Sequence, residues 1–178
     1  CSLGVPARVR VIDDSYNASP ASMAAALDVL SEMDATGMRV QVLGEDGELG
    51  SEERRLHGYV GAYAAAKGLD MLVFVSSTCE PRPNLLLLDK FIAIAVFKKI
   101  EPVVVFTKID KESCDELVDI YKGAGIKTFQ VDNTTGEGSE AVKAVLEASR
   151  RHLQETRALA NRHCSIICFL HWGLPPTR

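Results

Sequence analysis

The segments MLVFV (residues 71–75) and PVVVF (residues 102–106) are wholly apolar runs of five residues. Runs of this length without polar alternation are typical of strands that are covered on both faces. Between them lies LLLLDKFIAIAVFKK (residues 85–99), which is long enough for a helix and has a broad apolar face. A strand, a helix and a second strand in this order form the βαβ unit of a parallel sheet. The two runs therefore predict the centre of an α/β domain.

Further strand-like and helix-like segments alternate on either side of this unit. The sequence predicts three more strands, at residues 8–12, 39–43 and 127–131. Helical spacing of apolar residues, with capping residues at the ends, predicts four more helices, which begin near residues 20, 51, 112 and 139. The pattern predicts a doubly wound, mainly parallel five-stranded sheet with helices on both faces, a Rossmann-like three-layer sandwich within residues 1–160.

The periodic pattern decays after about residue 150. Residues 157–163 are mostly polar, residues 164–172 are apolar, and the segment GLPP (residues 173–176) contains two prolines that regular structure does not accommodate. Residues 161–178 are therefore predicted to be an irregular apolar tail outside the core. An exposed apolar tail of this kind favours self-association.

Charge and composition exclude several classes of protein. The chain has 178 residues, with 20 Lys and Arg, 24 Asp and Glu and a formal net charge of −4. A weakly acidic chain has no general attraction to nucleic acid, so no nucleic-acid partner is predicted. The apolar runs are far shorter than the roughly 20 residues of a membrane-spanning helix, so no membrane contact is predicted. Five scattered cysteines do not indicate a disulfide framework, which favours a cytoplasmic location.

Polar residues follow all five predicted strands, at residues 13–14, 44, 76–77, 107–108 and 132–133. In a doubly wound sheet, ligands bind outside the carboxyl ends of the strands, so this edge is the predicted place of a ligand site. The same residues also satisfy the need of every strand to end in a turn. Both interpretations stay open from the pattern alone.

The first half of the chain resembles a known ligase family. The segments VIDDSYNASP (residues 11–20) and VLGEDGELG (residues 42–50) resemble the C-terminal domain of the UDP-N-acetylmuramoyl-tripeptide–D-alanyl-D-alanine ligases, and the resemblance covers residues 7–75. That family forms a peptide bond through an acyl phosphate made from ATP. The resemblance implies that this domain closes over ATP and the dipeptide D-Ala-D-Ala. The implied contacts are Asp14, Tyr16, Asn17 and Ser19.

The ligase-like half departs from its family in two loops. Ser19 stands where the family usually has Asn, and Glu45-Asp46 stand where it usually has Asp-Met. Ser19 followed by Pro20 is also a complete signal for the start of a helix, whatever the function. The family's phosphate loop and sugar-nucleotide site belong to other domains, which this sequence does not contain.

The second half resembles a different family. Residues 76–147 resemble the circularly permuted GTPases of small-ribosomal-subunit maturation, through the segments PVVVFTKID (residues 102–110) and TGEG (residues 135–138) among others. The resemblance implies that Thr107, Lys108 and Asp110 form a guanine-specificity motif. The Asp110 carboxylate would accept hydrogen bonds from guanine N1–H and the 2-amino group, while the Lys108 stem would lie over the base. Asn133 and Thr134 would belong to a second base-contacting loop.

The chain contains no phosphate loop of the form Gly-x4-Gly-Lys-Ser/Thr. The nearest segment, GAGIKT (residues 123–128), has the wrong spacing and precedes a strand instead of a helix. Because phosphoryl transfer requires positioned phosphates and magnesium, no catalytic residue is predicted, and neither ATP nor GTP is a certain cofactor. Three functions remain: a recombined, non-catalytic α/β domain, an ATP- and D-Ala-D-Ala-facing ligase domain, and a guanine-nucleotide-binding module.

Two other groups of residues are weak candidates for chemistry. His163, Cys164, Cys168 and His171 are close in sequence, but they lack the paired loops of structural zinc sites, so no metal site is predicted. Cys114 lies near a helix start, where a thiol pKa can be lowered, but no His partner is evident in its neighbourhood. No nucleophile is therefore assigned.

Overall fold

The structure, a computed structural model, describes residues 9–13, 20–34, 37–44, 68–156 and 165–170. Six strands and four helices lie within these ranges. In chain order they are β1 (Val9–Asp13), α1 (Pro20–Glu32), β2 (Arg39–Gly44), β3 (Met71–Ser77), α2 (Leu85–Phe97), β4 (Glu101–Thr107), α3 (Asp115–Gly123), β5 (Lys127–Val131), α4 (Ser139–Thr156) and β6 (Ser165–Leu170). The helix predicted from residue 51 lies outside the described residues.

The strands form one parallel sheet in the order β1-β6-β2-β3-β4-β5. The prediction of an α/β fold with a parallel sheet is confirmed. β3 lies near the centre and pairs with β2 from Val40↔Met71 to Gly44↔Val75. On its other side it pairs with β4 from Met71↔Glu101 to Ser77↔Thr107. The run in which the two resemblances meet is therefore one continuous strand.

The prediction of five strands and of an irregular tail over residues 161–178 is wrong for residues 165–170. These residues form β6, which lies between β1 and β2 and is paired on both sides, with Ile166 opposite Arg10 and Arg39. A run of apolar residues suits a strand with two strand neighbours and covered faces. The polar segment before it and the prolines after it obscure this signal in the sequence.

Helices cover both faces of the sheet, as predicted. On one face, α1, α2 and α3 pack on alternate side chains of the central strands, and the rings of Phe74 and Phe91 stack with centroids 5.1 Å apart. On the other face, Val142 and Leu146 of α4 pack against a cluster that includes Val73 and Val103. Within the described ranges, no helix combines the length and apolarity that a membrane span requires.

Asn84 begins α2 by accepting a hydrogen bond from the Leu87 amide at its side-chain oxygen, at 3.2 Å. Such an N-cap satisfies one of the amides that a helix start leaves unpaired. The buried side chains of α2 then follow at helical spacing and face the sheet; they are Leu87, Leu88, Phe91, Ile92 and Ala95. The cap and the apolar face together fix how α2 connects β3 to β4.

The turn before α4 depends on a glycine. Gly138 has φ +82°, and a Cβ at this position would lie 1.9 Å from the Gln130 carbonyl oxygen of β5. A side chain therefore meets both a left-handed backbone and a direct clash with backbone. Close approach of this turn to β5 positions α4 on the second face.

We expect Gly138→Ala to lower the free energy of unfolding by about 2 kcal/mol or more, because both the clash and the backbone conformation oppose it. Urea denaturation measures the change. Gly123→Ala is the matched control, since a Cβ at Gly123 meets no atom within 4 Å; it should be neutral or slightly stabilising. Equal stability of the Gly138→Ala variant and the unchanged protein would contradict this account of the turn.

Candidate functional site

The carboxyl ends of β3, β4 and β5 bring three loops to one edge of the sheet. Ser77 lies opposite Thr107, and Thr107 lies opposite Val131, so the loops that follow these strands are neighbours. We call the residues of these loops, 76–81, 107–112 and 132–138, the carboxyl edge. It contains all the predicted site residues of the second half of the chain.

Lys108 connects two of these loops. Its carbonyl oxygen accepts a hydrogen bond from Thr78 Oγ1 at 3.0 Å, and its ammonium group donates to the carbonyl oxygens of Cys79, at 3.2 Å, and Glu80. Its backbone has φ +61°, which few residues other than glycine adopt. Lys108 has this unfavourable backbone conformation while its carbonyl and its ammonium group are both hydrogen-bonded to the β3–α2 loop. The Lys108 cation is therefore bound within the protein at the carboxyl edge.

Thr107 and Asp110 have opposite environments. Thr107 is buried, and its hydroxyl donates to the Ser76 carbonyl oxygen at 3.4 Å, which ties β4 to β3. Asp110 is exposed in a turn formed by hydrogen bonds from the amides of Lys111 and Glu112 to the Lys108 carbonyl. Among the described residues, no group hydrogen-bonds to the Asp110 carboxylate. This carboxylate is available to accept hydrogen bonds from a ligand.

The loop after β5 is organised by Asp132, which is only 7% exposed. Its carboxylate accepts hydrogen bonds from the Thr134 amide and from Thr135 Oγ1, both at 2.7 Å. The Asp132 carbonyl accepts from the Gly136 amide at 2.8 Å, which closes the turn. The hydrogen bond from Thr135, followed by that from the Thr134 amide, holds the Asp132 pKa below its usual value.

This Asp132 turn presents Asn133 and Thr134 at the exposed tip of the loop. The sequence placed Asp132 among the polar residues that follow the strands, but its role in ordering Asn133 and Thr134 was not predicted. The signal was present, because an aspartate followed by threonines two and three residues later is typical of an Asx turn. The structure thus places Lys108 and Asp110 in one loop and Asn133 and Thr134 in the loop beside it.

The other predicted contacts, Asp14, Tyr16, Asn17 and Ser19, lie outside the described residues. The same holds for His163, Cys164 and His171 of the weak metal candidate. Cys168 belongs to β6, where its backbone lies opposite Ile12 and Gln41. In the part of the chain that the structure describes, no three His, Cys, Asp or Glu side chains are grouped to hold a metal ion.

A small apolar cleft opens at the carboxyl ends of β2 and β3, between α1 and α2. Its internal volume is about 30 Å³, and its lining is almost wholly apolar; it consists of Met23, Leu43, Gly44, Phe74, Val75, Ser76, Leu87, Leu88 and Phe91. None of these lining residues is charged, so the cleft as they form it offers no cationic side chain that would bind a phosphate.

Cys114 is the buried N-cap residue of α3. Burial raises the pKa of its thiol, and the neighbouring Asp115 charge raises it further. Hydrogen bonds from Gln130 and then Ser113 lower the Asp115 pKa, so that charge is present at neutral pH. Both effects oppose a reactive thiolate at Cys114.

A comparison with protein families finds a match to the family model described as Mur ligase, glutamate ligase domain, over residues 3–110. This is more than half of the chain. The chain belongs to this family. The match extends beyond β3 and includes α2, β4 and the turn that carries Lys108 and Asp110.

Curated proteins of two kinds are similar to this Mur ligase-family chain. The UDP-N-acetylmuramoyl-tripeptide–D-alanyl-D-alanine ligase of Escherichia coli (strain K12) is 48% identical over 65 residues, which are 36% of this chain and 14% of that protein. The small ribosomal subunit biogenesis GTPase RsgA of Caldanaerobacter subterraneus subsp. tengcongensis is 38% identical over 82 residues, which are 44% of this chain and 28% of that protein. The RsgA protein of Agathobacter rectalis is 30% identical over 112 residues, which are 61% of this chain and 37% of that protein.

The two resemblances found in the sequence are therefore confirmed. The chain spans well under half the length of each of these relatives. The segments similar to the ligase and to RsgA belong to one continuous sheet, in which β3 pairs with β2 on one side and with β4 on the other.

Ionised Asp132 should make stability depend on pH. Because its pKa is lower in the folded protein than in the unfolded chain, it stabilises the fold above about pH 4, and this contribution is lost as the pH falls through the lower folded-state pKa. Measured by urea unfolding, the free energy of unfolding should fall less between about pH 6 and about pH 3 for Asp132→Asn than for the unchanged protein. Asp34→Asn, at an exposed position, controls for net charge. Parallel curves for the Asp132→Asn variant and the unchanged protein would refute this role.

Proposed function

We propose that the chain is a composite α/β domain that joins a Mur ligase-like half (residues 7–75) to an RsgA-like half (residues 76–147), and that it does not catalyse either parent's reaction by itself. The observation that carries this proposal is the pairing of β3. β2 from the ligase-like half and β4 from the RsgA-like half pair with the same strand without interruption. One apolar cluster includes Leu27 and Leu43 from the first half and Val104 and Phe106 from the second.

The proposed lack of catalysis is supported by the state of the carboxyl edge. The Lys108 ammonium donates to two backbone carbonyls of the β3–α2 loop, so it is bound within the fold. The sequence offers no phosphate loop of the usual form, and triphosphate chemistry depends on such a cradle together with magnesium. The chain thus carries the residues that the resemblance implies for base recognition but no phosphate loop of the usual form, which supports the proposed lack of catalysis.

A second candidate function is the binding of a guanine base without hydrolysis. The exposed Asp110 carboxylate supports it, because this carboxylate has no described partner and can accept from two adjacent N–H groups of guanine. Asn133 and Thr134 lie in the neighbouring loop, at the end of the strand paired with β4. Base contacts alone bind weakly, so we expect a dissociation constant no tighter than about 100 μM.

The third candidate is a domain that faces ATP and D-Ala-D-Ala, as the resemblance to the ligase family implies. Its implied contacts, Asp14, Tyr16, Asn17 and Ser19, lie outside the described residues, and it therefore rests on the resemblance alone. We further propose a cytoplasmic location, which the scattered cysteines support; Cys79 and Cys114 are free thiols. The acidic net charge supports the absence of a nucleic-acid partner.

A composite domain with one shared core should unfold as one unit. Phe74→Ala removes a ring that is 4% exposed and stacked on Phe91, so we expect a loss of about 3–5 kcal/mol in the free energy of unfolding. Native-state hydrogen exchange should show an equal decrease in the free energy of opening at the amides of β2 and at those of β4. Val29→Ala is the control, because Val29 of α1 is 52% exposed and its replacement should change the free energy of unfolding by less than about 0.5 kcal/mol. A loss confined to one half would contradict the composite domain.

Thermal melts with about 10 mM ATP, GTP or D-Ala-D-Ala, each with magnesium, separate the three functions. A site with a dissociation constant near 100 μM gains about 2.7 kcal/mol at this excess, which raises the melting temperature by roughly 5–10 °C. We expect no shift for ATP or D-Ala-D-Ala. A GTP shift that Asp110→Asn removes and the Asp34→Asn control retains would establish the second candidate. Phosphate release from GTP that depends on Asp110 would overturn the proposed lack of catalysis.

A further inference from the structure

Two neighbouring helices expose large apolar side chains. Phe97 is 80% exposed, Val96 55% and Leu86 52% on α2, and Ile120 is 64% exposed on α3. A hydrogen bond of 2.9 Å from Tyr121 Oη to Asp89 Oδ1 joins the two helices. Single exposed apolar residues are ordinary, but a group of four on adjacent helices is typical of an interaction surface. We call the exposed sides of α2 and α3 the α2–α3 surface.

The apolar residues on α2 form a line. Leu86, Ala93 and Phe97 are all exposed and are spaced by seven and then four residues, which places them along one side of a helix. This side lies opposite the side that faces the sheet. The ammonium of Lys98 lies 5.7 Å from the centre of the Phe97 ring, within the range of a cation–π interaction. An exposed ring flanked in this way is suited to be the centre of a contact.

Charges on the two helices are opposite in sign. The exposed charges of α2 and the two residues that follow it are Asp89, Lys90, Lys98 and Lys99, with a net charge of +2. The exposed charges of α3 are Asp115, Glu116, Asp119 and Lys122, with a net charge of −2. A surface that carries a basic strip beside an acidic strip is complementary to itself after a two-fold rotation.

We propose that the α2–α3 surface is the interface between two copies of this chain. Around a two-fold axis, α2 of one copy lies on α3 of the other, so that each basic strip faces an acidic strip and Phe97 packs near Ile120 at the centre. A second copy is the proposed occupant because it carries the same basic and acidic strips and, after the two-fold rotation, matches both of them. This proposal does not depend on whether the domain is composite. It also differs from the sequence-based prediction of self-association through residues 161–178, because it uses the α2–α3 surface.

The size of the surface predicts a weak dimer. α2 has 13 residues and is about 20 Å long, and a second helix packed roughly 10 Å away gives a footprint about 20 Å wide. A stable complex buries about 800 Å² on each partner, and a footprint of roughly 20 Å by 20 Å is about half that size. We therefore expect dimers that form as protein concentration rises and dissociate on dilution or at high salt, which screens the exposed charges.

Sedimentation equilibrium of the full chain over a range of concentrations tests the interface. Phe97→Asp should weaken dimerisation at least about ten-fold, because it removes the central aromatic and places a charge there. Ala144→Asp adds the same charge at an exposed position of α4, on the other face of the sheet, and should leave dimerisation unchanged. Circular dichroism checks that both variants are folded. A chain that stays monomeric throughout, or a dimer that Phe97→Asp does not weaken, overturns the proposal.

A charge-reversal pair tests the geometry directly. Lys98→Glu with Lys99→Glu makes the α2 strip acidic, and Glu116→Lys with Asp119→Lys makes the α3 strip basic. Each double variant alone places like charges opposite one another and should not dimerise, whereas an equimolar mixture should form heterodimers. If the mixture stays monomeric while the unchanged chain dimerises, the two-fold arrangement of α2 on α3 is wrong, and the surface serves another partner.

Discussion

The central constraint on this structure is the burial of β3 on both faces and along both edges. Phe74 packs on the side of α2, while Met71 and Val73 pack toward α4, and all three are less than 5% exposed. Each such side chain contributes about 1.5–3 kcal/mol relative to exposure. Because β2 and β4 hydrogen-bond to opposite edges of β3, this strand joins the two halves of the sheet. The positions of α2 and of the loops at the carboxyl edge follow from this strand.

This constraint explains how sequences that resemble two families share one fold. A parallel strand between two parallel neighbours requires an apolar run, a backbone ladder and helices above and below, and it requires no particular ligand. The run at residues 71–77 meets these requirements for the ligase-like side and for the RsgA-like side. The residues at the ends of the strands then decide the chemistry, and on the two sides of β3 they resemble different families.

The candidate site was predictable in composition and only partly in arrangement. The segment TKID and the loop at residues 132–135 identify Asp110, Asn133 and Thr134, and the sheet register brings them to one edge. The direction of the Lys108 ammonium was not predictable, because its acceptors are backbone carbonyls 28 and 29 residues earlier in the chain. The sequence-based role of Lys108 concerns its aliphatic stem, and the hydrogen bonds to the β3–α2 loop involve only its ammonium group. The structure therefore adds a second role for this side chain and leaves the predicted one as a prediction.

The sequence by itself determined the wholly apolar strands β3 and β4, the helix between them and the parallel α/β class, because these depend on local periodicity and on the need to cover two apolar faces. The tertiary structure alone decided where β6 lies. Residues 165–170 are a short apolar run between polar and proline-rich segments, and such a run fits a tail or a strand equally well. Its place between β1 and β2 depends on backbone pairing with residues more than 100 positions away. Local sequence patterns do not specify which distant strands pair, so the strand order could be determined only from the folded sheet.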